Sequence, residues 1–167
     1  MRAIFRIVLT AAVLTAPIGS AAADDATTTQ PPAEFLSFLD RVDAAQVELQ
    51  NGKAESFKAL WSRSEEVTLA GGFGGTIEKG WERIAARLDW VAGQYSNGRT
   101  RRERVVVGVG GDLAYVVQHE HIEFRVPGHE TDSTRDYRVT MVFRRESDGW
   151  KLVHRQADVQ TQKQAPR

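Results

Sequence analysis

The sequence predicts an α+β domain in which three helices precede a curved antiparallel β-sheet. Between residues 34 and 91, apolar side chains recur at spacings of three and four, which is the period of a helix with one buried face. Between residues 101 and 159 the apolar period falls to two, and glycine-containing turns separate the strand candidates. Helices followed by consecutive hairpins cover one face of an antiparallel sheet, and this order of elements is the α+β arrangement.

The first helix is predicted to begin at Glu34 and to end at Asn51-Gly52, because glycine adopts the left-handed conformation that often closes a helix. Its predicted buried face consists of Phe35, Phe38, Leu39, Val42, Ala45 and Leu49. A short second helix through Trp61 follows, and residues 66–70 are predicted to form a brief strand.

A glycine-rich segment, residues 71–75, precedes the third helix. Thr76 is the predicted N-cap of this helix, and Glu78 lies in its first turn, where a carboxylate interacts favourably with the helix dipole. Its predicted buried face consists of Ile77, Trp81, Ile84, Ala85, Leu88 and Val91. Residues 71–75 have neither the Lys-Ser/Thr pair of a P-loop nor the spacing of a dinucleotide-binding loop. We therefore interpret them as a flexible loop at the rim of the fold.

Four strands are predicted in the C-terminal half. They cover residues 101–109, 113–126, 137–145 and 150–159. Gly110-Gly111 favours a tight hairpin between the first two strands, and residues 147–149 favour another between the last two. Asn97-Gly98 is predicted to be a turn that ends the helical half of the chain.

Residues 1–23 are predicted to be a cleaved signal peptide. Arg2 and Arg6 supply its positive charge, residues 7–14 are almost continuously apolar, and residues 21–23 are alanines that suit the cleavage subsites. The apolar run is too short for a stable transmembrane helix, and a retained short anchor is the alternative interpretation. We therefore expect a periplasmic or secreted protein, with a polar linker at 24–33, one domain at 34–159 and a polar tail at 160–167.

The charge of the chain argues against several classes of partner. The sequence has 22 basic and 22 acidic side chains, and loss of the signal peptide would leave 20 basic against 22 acidic. We therefore expect no binding to nucleic acid, and none to a membrane after cleavage. The chain has no cysteine and so uses neither disulfides nor thiol chemistry. Five carboxylates lie among basic residues, as is typical of solvated faces: Asp43, Glu48, Asp89, Glu120 and Glu123.

Three segments carry a resemblance to a known family. They are Ala-Leu-Trp-Ser at 59–62, Arg-Val-Thr-Met-Val-Phe-Arg-Arg at 138–145 and Asp-Gly-Trp-Lys-Leu-Val-His-Arg at 148–155. In their order along the predicted elements, they resemble the SnoaL-like branch of the nuclear transport factor 2-like superfamily. The resemblance implies a conical fold in which helices and a strongly bent sheet enclose one pocket, often in a homodimer. Members include isomerases, cyclases, dehydratases and non-catalytic domains, so the fold alone does not decide the function.

Two groups of relatives can be compared residue by residue. Where ketosteroid isomerases carry a tyrosine and two aspartates, the matching positions here are Ala45, Ala70 and Met141, which cannot transfer protons. Where the association domain of calcium/calmodulin-dependent kinase II has arginines, the matching positions are Val117, Met141 and Ala157. The resemblance therefore implies a pocket with neither steroid-isomerase chemistry nor that anion site.

The same matches imply which strand residues face the pocket. With Trp61 covering one wall, the predicted ligand-binding set is Trp61, Tyr115, Val117, Met141, Phe143 and Arg155. Val139, Val153 and Ala157 are expected on the same face, together with His119 and His121. The opposite face would then carry an apolar strip suited to a dimer seam: Val116, Ile122, Thr140, Val142, Trp150 and Leu152.

His119 and His121 are the candidate catalytic residues, because two imidazoles at i and i+2 share a strand face and titrate near neutral pH. They could instead be solvated or structurally hydrogen-bonded, or supply two ligands to a metal that lacks an obvious third. Arg155 could hold a carboxylate or phosphate, or reach solvent from the rim. The sequence indicates no cofactor.

Three functions are compatible with these observations. The first is an exported domain that binds a small apolar or aromatic molecule in its pocket. The second is a proton-transfer enzyme of the isomerase, dehydratase or cyclase type that uses His119 and His121, with Arg155 orienting the substrate. The third is a structural module that dimerises through its outer sheet face.

Overall fold

The computed structural model describes residues 30–162. The predicted signal peptide at 1–23 lies outside the described residues, as do residues 24–29 of the linker and 163–167 of the tail. No helix within the described part of the chain is long and apolar enough to cross a membrane.

Three helices are present between residues 30 and 162, and they precede most of the sheet. They are α1 (Ala33–Leu49), α2 (Glu55–Ala59) and α3 (Trp81–Ala92). All six apolar residues predicted on the buried face of α1 are buried, and Gln46 is buried with them. A short connection joins α1 to α2, whereas β1 and β2 lie between α2 and α3. The helices lie against one face of the sheet, which we call the inner face; the opposite face is the outer face.

Six strands form one curved sheet in the order β2-β1-β6-β5-β4-β3. They are β1 (Thr68–Ala70), β2 (Glu78–Lys79), β3 (Ser96–Gly110), β4 (Leu113–Arg125), β5 (Asp132–Glu146) and β6 (Gly149–Val159). All neighbouring pairs are antiparallel except β1 and β6, which are parallel. The predicted α+β class and the hairpins at Gly110-Gly111 and residues 147–149 are confirmed.

The third helix begins later than predicted. Gly80 has a φ of 89°, which ends β2 and turns the chain into the helix at Trp81. Its backbone N–H donates to the carbonyl of Val67 at 2.9 Å, which fixes this turn against the start of β1. Thr76 is therefore not the N-cap, and Ile77 is 65% exposed rather than buried.

The predicted turn at Asn97-Gly98 is a bulge inside β3. The register with β4 shifts between Ser96 and Arg99, and Asn97 has a φ of 53°. Asn51, at the end of α1, holds this bulge with two hydrogen bonds of 3.0 Å, one to the carbonyl and one from the N–H of Gly98. The contact with Asn51 thus stabilises an irregular strand where the local sequence predicts a turn.

The core beneath α1 is aromatic. The Phe35 ring lies 4.9 Å from the Trp150 ring and 5.4 Å from the Phe143 ring, and the Phe38 ring lies 5.6 Å from that of Phe143. Edge-to-face pairs of this kind add to the free energy gained from burial. This cluster fixes the angle of α1 across β5 and β6.

The two faces of β4 are the reverse of the prediction. The inner face carries Ala114, Val116, Gln118, Glu120, Ile122 and Phe124, all of which are buried. The outer face carries Tyr115, Val117, His119 and His121. The prediction is wrong because Met141, buried on β5, pairs with Val116 rather than with Val117. A register shift of one residue exchanges both faces of a strand.

A β-bulge in β6 produces the second difference from the prediction. Val142 pairs with His154 but Phe143 pairs with Leu152, so Val153 has no partner across the strand and is half-buried in the bulge. Because of this extra residue, side chains on either side of the bulge no longer alternate between the two faces of the sheet in steps of two. Trp150 and Leu152 are therefore buried on the inner face, not part of an outer strip. Of that strip only Thr140 and Val142 lie on the outer face, because Val116 and Ile122 point inward with the rest of β4.

Candidate functional site

A cavity of about 60 Å³ lies between α1, α3, the 71–75 loop and the inner face of the sheet. Most of its wall is apolar: Leu49, Phe57, Leu69, Leu88, Val91 and Ile122. Aromatic and polar side chains complete it: Phe73, Tyr95, Tyr137, Gln46, Gln50, Arg87 and Arg155. Apolar walls with a few polar groups are typical of small-molecule sites.

Arg155 is the one predicted ligand-binding residue that lines this cavity. It is buried, so the alternative of a rim arginine reaching solvent is wrong. Met141 and Phe143 lie on the inner face as predicted, but they are buried in the core away from the cavity wall. Trp61 is also a core residue, bridged to Leu152 by backbone pairing. Tyr115 and Val117 are on the outer face.

The predicted position of His119 and His121 in the pocket is wrong, because the sheet separates both side chains from the cavity. They line an outer-face cleft of about 240 Å³ with Arg101, Glu103, Asp136 and Gln160. His121 Nδ1 lies 2.7 Å from Asp136 Oδ1. Within residues 30–162, no group of three His, Asp or Glu side chains is arranged to hold a metal ion.

A buried carboxylate lies behind the cavity wall. Glu120 has no exposed side-chain surface, contrary to the prediction of a solvated acid. It accepts three hydrogen bonds of 2.7 Å, from Gln46 Nε2, Gln118 Nε2 and Arg155 Nη2. Bonds that involve a charged partner are the stronger class, and the Arg155 guanidinium compensates the buried charge.

The network continues towards the surface through β3. Arg104 Nη1 donates to Gln118 Oε1 at 2.9 Å, and Arg104 also pairs with Asp43 of α1. Arg102 donates to the Asp43 carbonyl at 3.1 Å, and burial lowers the pKa of this guanidinium. A chain of hydrogen-bonded polar and charged side chains thus extends from Asp43 on α1 to Arg155 in the cavity wall.

Glu120 fixes the orientation of the Gln46 amide. A carboxylate paired with an arginine only accepts hydrogen bonds, so the amide nitrogen must face it and the amide oxygen must face away. Gln46 Oε1 is buried and has no hydrogen-bond donor among the described residues. Gln46 is one of the residues that line the cavity, so this unsatisfied acceptor belongs to a side chain of its wall. The buried position of Gln46 could have been predicted from the sequence, because Gln46 follows Val42 by four residues on the apolar face of α1.

Two tyrosines face the cavity from the other side. Burial, reinforced by the nearby Tyr137 hydroxyl, raises the pKa of Tyr95 above its ordinary value. Tyr95 is therefore protonated at neutral pH and can donate a hydrogen bond. The Tyr137 hydroxyl accepts one from Arg135 Nη1 at 3.1 Å.

The 71–75 loop contributes Phe73 to the cavity wall. The Phe73 ring packs 5.2 Å from Tyr95 and 5.4 Å from Trp90, and the Arg135 guanidinium lies 4.5 Å from its centre. Arg87 Nη2 donates to the Gly74 carbonyl at 3.0 Å and holds the loop to α3. Contacts with Trp90, Tyr95 and Arg135 therefore hold Phe73 at the cavity wall.

The profile of the SnoaL-like domain family matches residues 40–159, which form most of the described fold. The chain belongs to the SnoaL-like domain family. No curated protein matches the sequence. The candidate site residues of this SnoaL-like domain are therefore identified by its own geometry.

Solved structures from three other organisms share the fold. A candidate dehydratase of the nuclear transport factor 2-like family from Streptomyces avermitilis is 21% identical, with 78% of this chain and 100% of that chain covered and a TM-score of 0.66. A nuclear transport factor 2-like superfamily protein from Salmonella enterica is 17% identical, with 78% and 92% covered and a TM-score of 0.67. A ketosteroid isomerase-like protein from Erwinia carotovora is 14% identical, with 78% and 96% covered and a TM-score of 0.65. At these identities the likeness concerns the fold alone.

Proposed function

We propose that the protein is exported and that its SnoaL-like domain binds a small, mainly apolar or aromatic molecule in the cavity beneath Phe73. The observation that supports this most strongly is the wall itself. It combines apolar and aromatic side chains with a buried, unsatisfied acceptor on Gln46. A buried polar atom without a partner costs about 1–3 kcal/mol, and a ligand that supplies a donor recovers it.

Binding requires the cavity to enlarge. Its volume of about 60 Å³ leaves room for water-sized molecules, whereas an apolar cavity known to bind benzene has a volume of roughly 150 Å³. Phe73 lines the cavity from a loop with glycines at 71, 72, 74 and 75. Outward movement of its ring would enlarge the cavity and supply the missing volume.

The wall favours binding over acid–base chemistry. Among the described residues that line it, the ionisable side chains are those of Arg87, Arg155, Tyr95 and Tyr137. An arginine does not give up its proton near neutral pH, and the raised pKa of Tyr95 keeps its hydroxyl protonated. These groups suit orientation of a ligand by hydrogen bonds better than removal of a proton from it.

The test is thermal unfolding and native mass spectrometry of the exported protein, purified from a periplasmic extract. A bound mass that disappears on denaturation, or stabilisation by small aromatic compounds, is the expected result. Val91→Phe should fill the cavity and abolish both effects. Ala86→Phe, on the exposed face of the same helix, is the matched control. Ligands that stabilise both variants equally would place the binding elsewhere.

We also propose that two copies associate through the outer face of β3, β4 and β5. Tyr115 is 46% exposed there, beside Val106 and the half-buried Val117 and Val142. The Tyr115 ring covers Gly108 so closely that a Cβ at Gly108 would lie 2.2 Å from it. A large aromatic held flat on an open sheet is typical of interfaces.

The charges beside this apolar area are self-complementary. On the outer face, His121 of β4 pairs with Arg101 of β3 and with Asp136 of β5. Two residues earlier on β4, His119 pairs with Glu103 of β3 and with Arg138 of β5. A two-fold axis along β4 would place Arg101 opposite the second copy's Asp136. The same axis would place Glu103 opposite the second copy's Arg138, so both rows favour face-to-face pairing.

A further inference from the structure

Gln46 and Arg155 are neighbours in the cavity wall with opposite hydrogen-bonding characters. Gln46 Nε2 and Arg155 Nη2 each donate to the same oxygen, Glu120 Oε2, at 2.7 Å. The two side chains are therefore held side by side. Gln46 turns an acceptor away from Glu120, whereas Glu120 takes only one of the five N–H donors that a guanidinium carries.

The Gln46 acceptor is fixed rather than adaptable. Rotation of the amide would bring its oxygen against the Glu120 carboxylate, and two acceptors would then meet without a proton between them. Gln118 donates to the other carboxylate oxygen and itself accepts a hydrogen bond from Arg104. The Glu120 carboxylate is therefore fixed and cannot rotate to accommodate a flipped Gln46 amide. The ligand must supply the donor.

Both charged side chains of the cavity wall are guanidinium groups, one of which is already paired with Glu120. Arg87 and Arg155 line the cavity, and none of the described residues in its wall is Asp or Glu. Glu120 lies behind Gln46 and Arg155, where it is fully covered. A planar guanidinium suits a carboxylate, because its N–H groups match both oxygens.

We propose that the ligand is a small α-hydroxycarboxylate with an apolar or aromatic substituent, its hydroxyl donating to Gln46 Oε1 and its carboxylate accepting from Arg155. In such a molecule the donor and the anion are on adjacent carbons, as the two wall groups are on adjacent side chains. The substituent lies against the apolar wall and Phe73. This inference rests on the proposed ligand-binding function.

Isothermal titration with three matched probes tests the ligand class on the unchanged protein. Mandelate, as each enantiomer, carries both groups; phenylacetate lacks the hydroxyl, and 1-phenyl-1,2-ethanediol lacks the carboxylate. One enantiomer of mandelate should bind about tenfold more tightly than either of the other probes, since one matched buried hydrogen bond contributes roughly that factor. Equal affinities for mandelate and phenylacetate would overturn the assignment of Gln46 as the hydroxyl acceptor.

A pair of glutamine variants separates ligand contact from structural support. Gln46→Met and Gln118→Met each remove one 2.7 Å amide bond to Glu120, but only Gln46 lines the cavity. Gln46→Met should reduce mandelate affinity about tenfold and leave phenylacetate unchanged, whereas Gln118→Met should change neither by more than about threefold. Equal losses of mandelate affinity in both variants would overturn the proposal. The probe series needs no variant and decides the question even if Gln46→Met fails to fold.

Failure of this inference can be distinguished from failure of the proposed function. If phenylacetate and mandelate bind equally, and Val91→Phe abolishes both, the cavity binds ligands but the hydroxycarboxylate assignment is wrong. If no probe binds to the unchanged protein or to Phe73→Ala, in which the cavity is larger, both proposals are wrong.

Discussion

Arg155 on β6 and Glu120 on β4 form an ion pair that crosses β5 on the inner face of the sheet, with 2.7 Å between Arg155 Nη2 and Glu120 Oε2. The two strands share no backbone hydrogen bonds, because β5 lies between them. Gln46 brings α1 to the same carboxylate. One buried charge thus joins a helix and two separated strands at the cavity wall.

Replacement of Arg155 by methionine should destabilise the fold strongly. The variant keeps the apolar stem but leaves the Glu120 carboxylate buried with two neutral donors. Breaking one partner of a buried pair costs about 3–5 kcal/mol, and urea denaturation should show a loss in this range.

Arg99→Met is the matched control for this loss. Arg99 pairs with Glu123 at 3.0 Å, but both side chains are substantially exposed. Exposed pairs contribute about 1 kcal/mol or less. Similar losses for Arg155→Met and Arg99→Met would contradict the conclusion that the Glu120 pair is desolvated.

Gly72 should not tolerate a side chain. A Cβ there would lie 2.4 Å from Cε1 of the Tyr137 ring, so alanine must displace either the ring or the loop. Overpacking of this kind costs about 1–3 kcal/mol, which urea denaturation of Gly72→Ala should detect. Gly71→Ala is the control, because its Cβ would meet Arg87 at an ordinary 3.7 Å. Equal stability of the two variants would mean that Tyr137 moves without cost.

The fold could be predicted because its signals are local. The six apolar residues predicted on the buried face of α1 recur at helical spacing through Leu49, and all six are buried. Gly110-Gly111 produces the hairpin that its conformational freedom favours. The start of α3 could not be predicted in the same way. The pairing of β2 with β1 and the turn at Gly80 override the capping signal at Thr76.

The site depended on information that is not local. The pairing of Met141 with Val116 decides whether His119 or Glu120 faces the cavity, and a register is a relation between two strands. The bulge at Val153 then shifts the alternation on β6 while leaving Arg155 inside. A fully buried glutamate is also improbable from composition alone, since it requires the partners that only the folded chain assembles.

Acid should weaken the junction between β1 and β6. Burial lowers the pKa of His154, whose Nδ1 lies 2.8 Å from Thr68 Oγ1. The unfolded chain therefore binds this proton more tightly, with a pKa near the ordinary value of 6.5. The stabilisation is complete above pH 6.5 and is lost as the pH falls from there through the lower pKa of the folded state.

Urea denaturation across this pH range measures the effect. His154→Gln should reduce the decline of the unfolding free energy between pH 7 and pH 5. His129→Gln, in an exposed connection, should leave the decline unchanged. The same decline in the parent protein and in both variants would assign it to other groups.

Removal of the Phe73 ring should open the cavity. Phe73→Ala deletes a side chain of the cavity wall together with its contacts to Tyr95 and Trp90. Association of phenylacetate, followed by stopped-flow fluorescence, should become faster, because ring displacement no longer precedes entry. Phe38→Leu, a core change remote from the mouth, controls for general loosening. Unchanged association in Phe73→Ala would show that ligands do not enter beneath this loop.

Charge reversal can test the proposed face-to-face dimer. Arg101→Glu should weaken self-association, because a two-fold axis along β4 would bring the new carboxylate against Asp136 of the second copy. Asp136→Arg alone should weaken it similarly, and the double variant should restore it by exchanging the two signs. Sedimentation velocity measures all three at low salt, where surface charges are least screened. Additive losses in the double variant would rule out this pairing and leave the outer cleft of His119 and His121 open to solvent.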